Sequence, residues 1–198
     1  MSILHNFSAA ADRNKNHIFK FLAKYLKGDD KILEIGSCSG QHGLFFAQMF
    51  PNICWQFSDI LKYMPDLLDN IRNSDLKNLM EPFELEVMSY DWSRAKYDII
   101  YTANTLHIMN DIQVDCFLNN LGHSLRKYGK LIIYGPFNYN NVYTSESNYN
   151  FDLMLRSRKM GSYIKSFEKI NETLKTNGFN LIEDIAMPKN NRILIWSY

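Results

Sequence analysis

The stretch KILEIGSCSGQH, residues 31–42, reads as a buried strand running into a glycine loop and then a helix. No other feature narrows the possible folds as much, because this junction opens a strand–helix alternation that continues for about a hundred residues. QHGLFFAQMF (41–50) is helical and is stopped by Pro51, which cannot continue a helix. ICWQFSD (53–59) is a second strand, after which Leu61, Met64, Leu67, Leu68 and Ile71 recur at helical spacing. FELEV (83–87) and YDIIYTAN (97–104) are expected as strands three and four. Val114, Phe117, Leu118, Leu121 and Leu125 predict a helix over 111–126, and KLIIYG (130–135) follows Gly129 as strand five. Ahead of the first strand, residues 9–26 place Ile18, Phe21, Leu22, Tyr25 and Leu26 on one helical face. Such alternation predicts an α/β, Rossmann-like fold with a mostly parallel sheet and helices on both faces.

Residues 136–150, PFNYNNVYTSESNYN, break the pattern. They are rich in Asn, Tyr and Ser and poor in aliphatics, so a surface segment with a functional bias is expected. Residues 136–165 together are expected to form an acceptor-side insertion or lid. A helix at about 166–177 follows, and then FNLIEDIAM and RILIWSY, separated only by PKNN (188–191). Four residues are too few for a helical crossover, so these last two strands must form an antiparallel hairpin. A seven-stranded, mostly parallel sheet closed by a C-terminal antiparallel hairpin is the plan of class I S-adenosylmethionine-dependent methyltransferases. NAD dehydrogenases have a different plan. A likeness of fold alone does not assign function.

A length of 198 residues suits one domain spanning 1–198. The net charge of +1 gives the whole chain no pull toward nucleic acid or an anionic membrane. Cys38, Cys54 and Cys116 are odd in number and free of C-x-x-C spacing, which argues against a disulfide framework or a zinc cluster, so no metal is expected. MSILHNFSAAADRNK (1–15) lacks an apolar signal core, and no apolar run is long enough to span a bilayer. A cytoplasmic protein without a membrane partner is expected.

Doubly wound sheets bind ligands at the carboxyl ends of their strands. Strand one ends in Glu34-Ile35-Gly36-Ser37-Cys38-Ser39-Gly40, where Gly36 permits a sharp turn and Gly40 lets the helix start near a ligand. Strand two ends in Asp59, about twenty residues on, where a carboxylate suits the two hydroxyls of a ribose. Asp59 would serve equally as a helix N-cap. Strand three offers Glu86 and Val87 beside an adenine edge, and strand four offers Asn104 with His107 just beyond. The glycine spacing does not fit G-x-G-x-x-G, and no G-x-x-x-x-G-K-[ST] loop is present. A sulfonium cofactor carries no phosphate, so a Cys38 side chain pointing outward is tolerable in such a loop.

The sequence resembles the methyltransferase-like 26 family through AAADRNK (9–15), LEIGSCSGQH (33–42), WQFSD (55–59), ANTLHI (103–108), YGPF (134–137), TSESNYNFDLMLRSR (144–158) and MPKNN (187–191). The resemblance implies a class I methyltransferase that binds S-adenosylmethionine through Arg13, Asn14, Glu34, Gly36, Ser37, Gly40, His42, Asp59, Glu86, Val87 and Asn104. It implies that Arg13 and Asn14 help close over the cofactor, with the Arg13 guanidinium shaped for the methionine carboxylate. The chain departs from the family pattern at Cys38, where glycine is usual, at Glu86, where aspartate is commoner, and at Lys159, where an acid is usual.

For the chemistry, His107 is the expected base, since an ordinary imidazole titrates near neutral pH. Tyr134 and Asn148 are expected to orient the acceptor, and Arg156 to hold an anionic substrate. ANTL stands after strand four where amino-methylating enzymes carry an NPPY-type tetrapeptide, which favours a small-molecule acceptor over nucleic acid. Two other readings stay open: a non-catalytic binding or assembly module on the same fold, and an NAD(P)-dependent oxidoreductase.

Overall fold

The computed structural model describes residues 4–198. The start of the N-terminal stretch considered above, residues 1–3, lies outside them. Among these described residues, seven strands form one sheet: β1 (Lys31–Ile35), β2 (Cys54–Asp59), β3 (Leu79–Glu84), β4 (Tyr97–Ala103), β5 (Leu125–Gly135), β6 (Asn180–Met187) and β7 (Asn191–Ser197). Their order across the sheet is β3-β2-β1-β4-β5-β7-β6. β1 pairs in parallel with β2 and β4, as do β2 with β3 and β4 with β5, whereas β7 is antiparallel to both neighbours. The strand order reverses between β1 and β4, which opens a crevice at their carboxyl ends.

Among the described residues, six α-helices accompany the sheet: α1 (Ala9–Leu22), α2 (Gln41–Met49), α3 (Met64–Arg72), α4 (Asp111–Asn120), α5 (Glu146–Ser157) and α6 (Phe167–Thr176). They enclose two apolar layers. One contains Ile32, Phe46, Trp55, Phe57, Tyr101 and Ile195, and the other Leu33, Ile100, Phe117, Leu131, Leu174 and Trp196. Alternate residues of each buried strand thus feed opposite faces, as the period of a strand requires. α4 begins at a capping box, in which Asn110 accepts from the Gln113 N–H and the Gln113 side chain accepts from the Asn110 N–H.

Four sequence expectations are corrected. Strand three ends at Glu84, so Glu86 and Val87 lie beyond it rather than within it. Pro82 lies within β3 and is accommodated because β3 is an edge strand and the β2–β3 register shifts beside it. The Gln56 amide fills that irregularity by donating to the Glu81 carbonyl at 2.8 Å. The helix expected to reach residue 126 stops at Asn120, and a short 3-10 turn then leads into β5, five residues earlier than expected. Leu121 and Leu125 kept helical spacing, yet both are buried simply as core residues. The first helix likewise ends at Leu22 rather than 26.

Residues 136–150 are not uniformly a surface segment. Phe137 is buried in the core, the Asn138 N–H donates to the Lys165 carbonyl, the Tyr139 hydroxyl donates to Asp184, and α5 begins at Glu146. The exposed positions of the segment are 140–142, 144, 146, 147, 149 and 150. No helix among the described residues is long and apolar enough to cross a membrane.

Candidate functional site

A cleft of about 890 Å³ lies at the carboxyl ends of β1, β2 and β4, and α1 and α5 contribute to its walls. Arg13, Asn14, Glu34, Gly36, Ser37, His42, Asp59, Glu86, Val87, Asn104, His107 and Asn148 all line it. Of the expected site residues, Gly40 and Tyr134 do not. Gly40 sits at the N-terminus of α2 with its face against Leu67 and Ile71. Tyr134 is buried in the core, with its hydroxyl pushed up to about 12 by burial. It accepts a hydrogen bond from the Asn191 amide at 3.0 Å, and Asn191 is the residue that reaches the cleft. The expectation that Tyr134 touches the acceptor is therefore corrected: strand alternation turns its ring into the layer that holds Ile132 and Ile193.

The loop after β1 is tied to the end of β2. The Gly36 and Ser37 N–H groups donate to the Ser58 carbonyl, and the Ser58 hydroxyl donates to the Glu34 carbonyl at 2.7 Å. Gly36 has φ +73°, and a Cβ there would lie 2.6 Å from Thr105 Oγ1, so only glycine fits. Cys38 has φ +50°, in the left-handed region that disfavours a side chain. Cys38 is half-buried and is among the residues that line the cleft, and burial followed by the Asp59 charge raises its pKa.

Asp59 is not a helix cap. One carboxylate oxygen accepts from the Cys38 N–H at 2.6 Å and the other from the Ile60 N–H at 2.7 Å. These bonds fix the carboxylate plane, and each oxygen retains acceptor capacity. Burial raises its pKa against both bonds. Glu34, at the other side of the loop, accepts from the Trp55 indole N–H at 3.0 Å, and burial pushes its pKa up to about 8. At neutral pH this carboxyl is largely protonated. Gly43 makes the pair possible, because a Cβ there would stand 2.2 Å from Trp55 Nε1 and 2.7 Å from Glu34 Oε2.

His42 lines the cleft, yet both ring nitrogens are occupied. Nε2 lies 3.2 Å from the Ala11 carbonyl, which only accepts, so the proton is on Nε2 and Nδ1 accepts from the Tyr101 hydroxyl at 3.2 Å. Burial lowers its pKa to about 4, consistent with a neutral ring. His42 thus ties α1 to the sheet. Gln41 adds a second tie, exchanging two hydrogen bonds with the Ser8 backbone.

On the acceptor side, His107 is buried, with its ring edge-on to Phe151 at 5.2 Å. Burial, with Lys165 and Arg158 adding, lowers its pKa to about 4, below the ordinary value assumed from sequence. Asn148 donates to Thr144 Oγ1 at 2.8 Å and to the Asn190 carbonyl at 3.1 Å, which spends both amide hydrogens and leaves its oxygen for the cleft. Asn104 adopts φ +59° and donates its N–H to the Tyr134 carbonyl, a conformation that asparagine tolerates better than most residues. Arg156, expected near the transferred group, is not in this cleft but in an adjoining cavity.

Sequence reasoning missed Thr105, Gln113, Lys189 and Asn191, which also line the cleft. Gln113 had a readable signal in the N-x-x-Q capping box, whereas Thr105, in the turn after β4, and Asn191, at the start of β7, were marked only by the ANTLHI and MPKNN blocks in which they lie.

Three solved structures place the fold. An O-methyltransferase family protein from Burkholderia thailandensis is 13% identical, with a TM-score of 0.80 over 95% of this chain and 57% of that one. An O-methyltransferase family 2 protein from Planctomyces limnophilus, solved in complex with apigenin, is 13% identical, with a TM-score of 0.78 over 96% and 60%. Human N-acetylserotonin methyltransferase in complex with SAM is 11% identical, with a TM-score of 0.79 over 95% and 52%. The chain therefore spans little more than half the length of each. The fold is that of the class I methyltransferases. Residues 5–198 match the family described as "Protein of unknown function (DUF938)", and the chain belongs to that family.

Proposed function

We propose that the protein is an S-adenosylmethionine-dependent methyltransferase acting on a small-molecule acceptor. The observation that carries this reading is Asp59, a carboxylate held at the end of β2 by two backbone N–H groups and open to the cleft. The cleft residues fit the cofactor. Its volume lies in the range of small-molecule sites. Gly36 leaves the backbone bare where a ligand must approach closely, and Asp59 offers acceptors to two ribose hydroxyls. Val87 and Glu86 suit the base, and Arg13 suits a carboxylate.

When bound, S-adenosylmethionine supplies an electrophilic methyl group. The chain's own residues position the reactants and exclude water. α1, tied down by His42 and Gln41, covers the cofactor end. Asn148 orients the acceptor through its free oxygen, and His107 presents a neutral imidazole that accepts the acceptor's proton. A small acceptor is supported by the enclosed cleft and by the neighbours, one solved with apigenin and another named for N-acetylserotonin.

Calorimetric titration with S-adenosylmethionine, S-adenosylhomocysteine and NAD tests this reading. The parent should bind the first two and not the third. Asp59→Ala and Asp59→Asn should each bind at least tenfold more weakly while remaining folded, since a charge-assisted bond contributes about 1.5–3 kcal/mol. A parent that binds NAD alone, or folded variants of unchanged affinity, would defeat the assignment.

A further inference from the structure

Beside the main cleft lies a second cavity of about 660 Å³, with Arg156, Tyr163, Ile112, Met160 and Asp111 in its walls. Asn110 and Met160 line both spaces, so the two adjoin. Arg156 is set rigidly in it. Its Nε donates to the fully buried Asp152 at 2.6 Å, and its guanidinium lies 4.6 Å from the Tyr163 ring centre. Asp152 is itself filled, accepting also from the Tyr143 hydroxyl at 2.8 Å and the Ile164 N–H at 2.5 Å. Asp152 is the one ion-pair partner of Arg156 among the described residues, which leaves the outer edge of the guanidinium to the cavity. Asp111 on the same wall is already engaged, by the Tyr163 hydroxyl at 2.5 Å and by Lys165 at 3.7 Å. Ile112 and Met160 are strongly exposed around this one anchored cation.

We infer that this cavity holds the far end of the acceptor and selects a molecule that carries a carboxylate on an apolar body. The inference rests on the methyltransferase reading of the main cleft. A guanidinium edge pairs with a carboxylate through two parallel hydrogen bonds, and Ile112 and Met160 supply the apolar contact. Lys165 is already paired with Asp111 and lies 3.5 Å over the Tyr163 ring, so Arg156 is the lining cation left to a ligand, which suits a singly charged carboxylate better than a dianionic phosphate.

Ligand-observed NMR titration tests this with 4-hydroxyphenylacetate, benzoate and octanoate, each against its primary amide, together with phenyl phosphate. The titrations are run with and without S-adenosylhomocysteine. In the parent, at least one carboxylate should bind tenfold or more tightly than its amide. Arg156→Gln should lose that preference. Arg156→Lys, which keeps the charge near Asp152 but not the fork, should weaken carboxylate binding at least threefold, and it decides the matter if the glutamine variant does not fold. Neither variant should change S-adenosylhomocysteine affinity. Absence of preference in all three pairs, a preference that survives in Arg156→Gln, or phenyl phosphate binding more tightly than every carboxylate would overturn the inference. Failure to bind S-adenosylhomocysteine would instead sink the methyltransferase reading, because the carboxylate preference is also measured without cofactor.

Discussion

Glu34 makes the stability of this protein fall as the solution turns alkaline, over a range where most folded domains are indifferent. Its carboxyl is buried against Trp55, with Ser37 donating and Asp59 nearby, and its pKa rises from 4.5 to about 8. Between these values the folded state keeps a proton that the unfolded state has released. The stabilisation is complete below pH 4.5 and is lost progressively as pH rises to 8. His42 and His107 act oppositely, because burial lowers both from 6.5 to about 4. Their contribution is complete above pH 6.5 and is lost as pH falls toward 4. Below 6.5 the two histidines outweigh Glu34 by one proton; above 6.5 they fade while Glu34 persists, opposed toward pH 8 by Lys165, whose pKa burial lowers from 10.5 to about 8, so stability should peak near pH 6.5. From there to pH 8 the net loss is only about 0.5–1 kcal/mol at ~1.4 kcal/mol per proton and pH unit, because the histidines are still titrating and Glu34 is half-ionised at pH 8, or roughly 1–4 °C in melting temperature for a chain of this size. Urea unfolding at several pH values between 6.5 and 8 measures it. Glu34→Gln, a neutral isostere of the protonated acid, should instead climb by about 1 kcal/mol across that range, as the histidines and Lys165 alone remain. A parent whose stability stays level or climbs from pH 6.5 to 8 refutes the reasoning, as does a Glu34→Gln variant that falls in parallel with it.

Two further substitutions probe the site. Cys38→Gly relieves a left-handed φ worth about 1–2 kcal/mol, against roughly 0.5–1 kcal/mol of added chain flexibility. It should melt at or slightly above the parent and bind S-adenosylhomocysteine at least as well, and much weaker binding would make the thiol a ligand contact. Once an acceptor is known, His107→Ala should lower turnover roughly 10²–10⁴-fold with cofactor affinity intact, and near-parental turnover in the folded variant would remove His107 from the chemistry.

The order of strands and helices was legible because local signals carry it. KILEI carries Ile32, Leu33 and Ile35 and β1 occupies those same five residues, and PKNN is too short for anything but the antiparallel turn between β6 and β7. Asp59 and the glycine loop were legible for the same reason, since both lie directly at strand ends. Cys38 had marked itself as a substitute for glycine, and its φ of +50° is what makes glycine preferable there.

Tertiary structure decided which way each side chain faces and what surrounds it. From sequence, Tyr134 is expected to orient the acceptor, and Asn191 is not singled out. Antiparallel pairing of β5 with β7 then buried the tyrosine ring and left the asparagine at the cleft. The roles of His42 and Glu34 depend on Ala11, Tyr101 and Trp55, residues distant along the chain that only packing brings within hydrogen-bond reach. Burial, which moves the His107 pKa from 6.5 to about 4, is likewise a property of everything packed around a group and is not encoded in its neighbours along the chain. Sequence periodicity records which residues share a face of one strand or helix, whereas a binding site is made where several such faces meet.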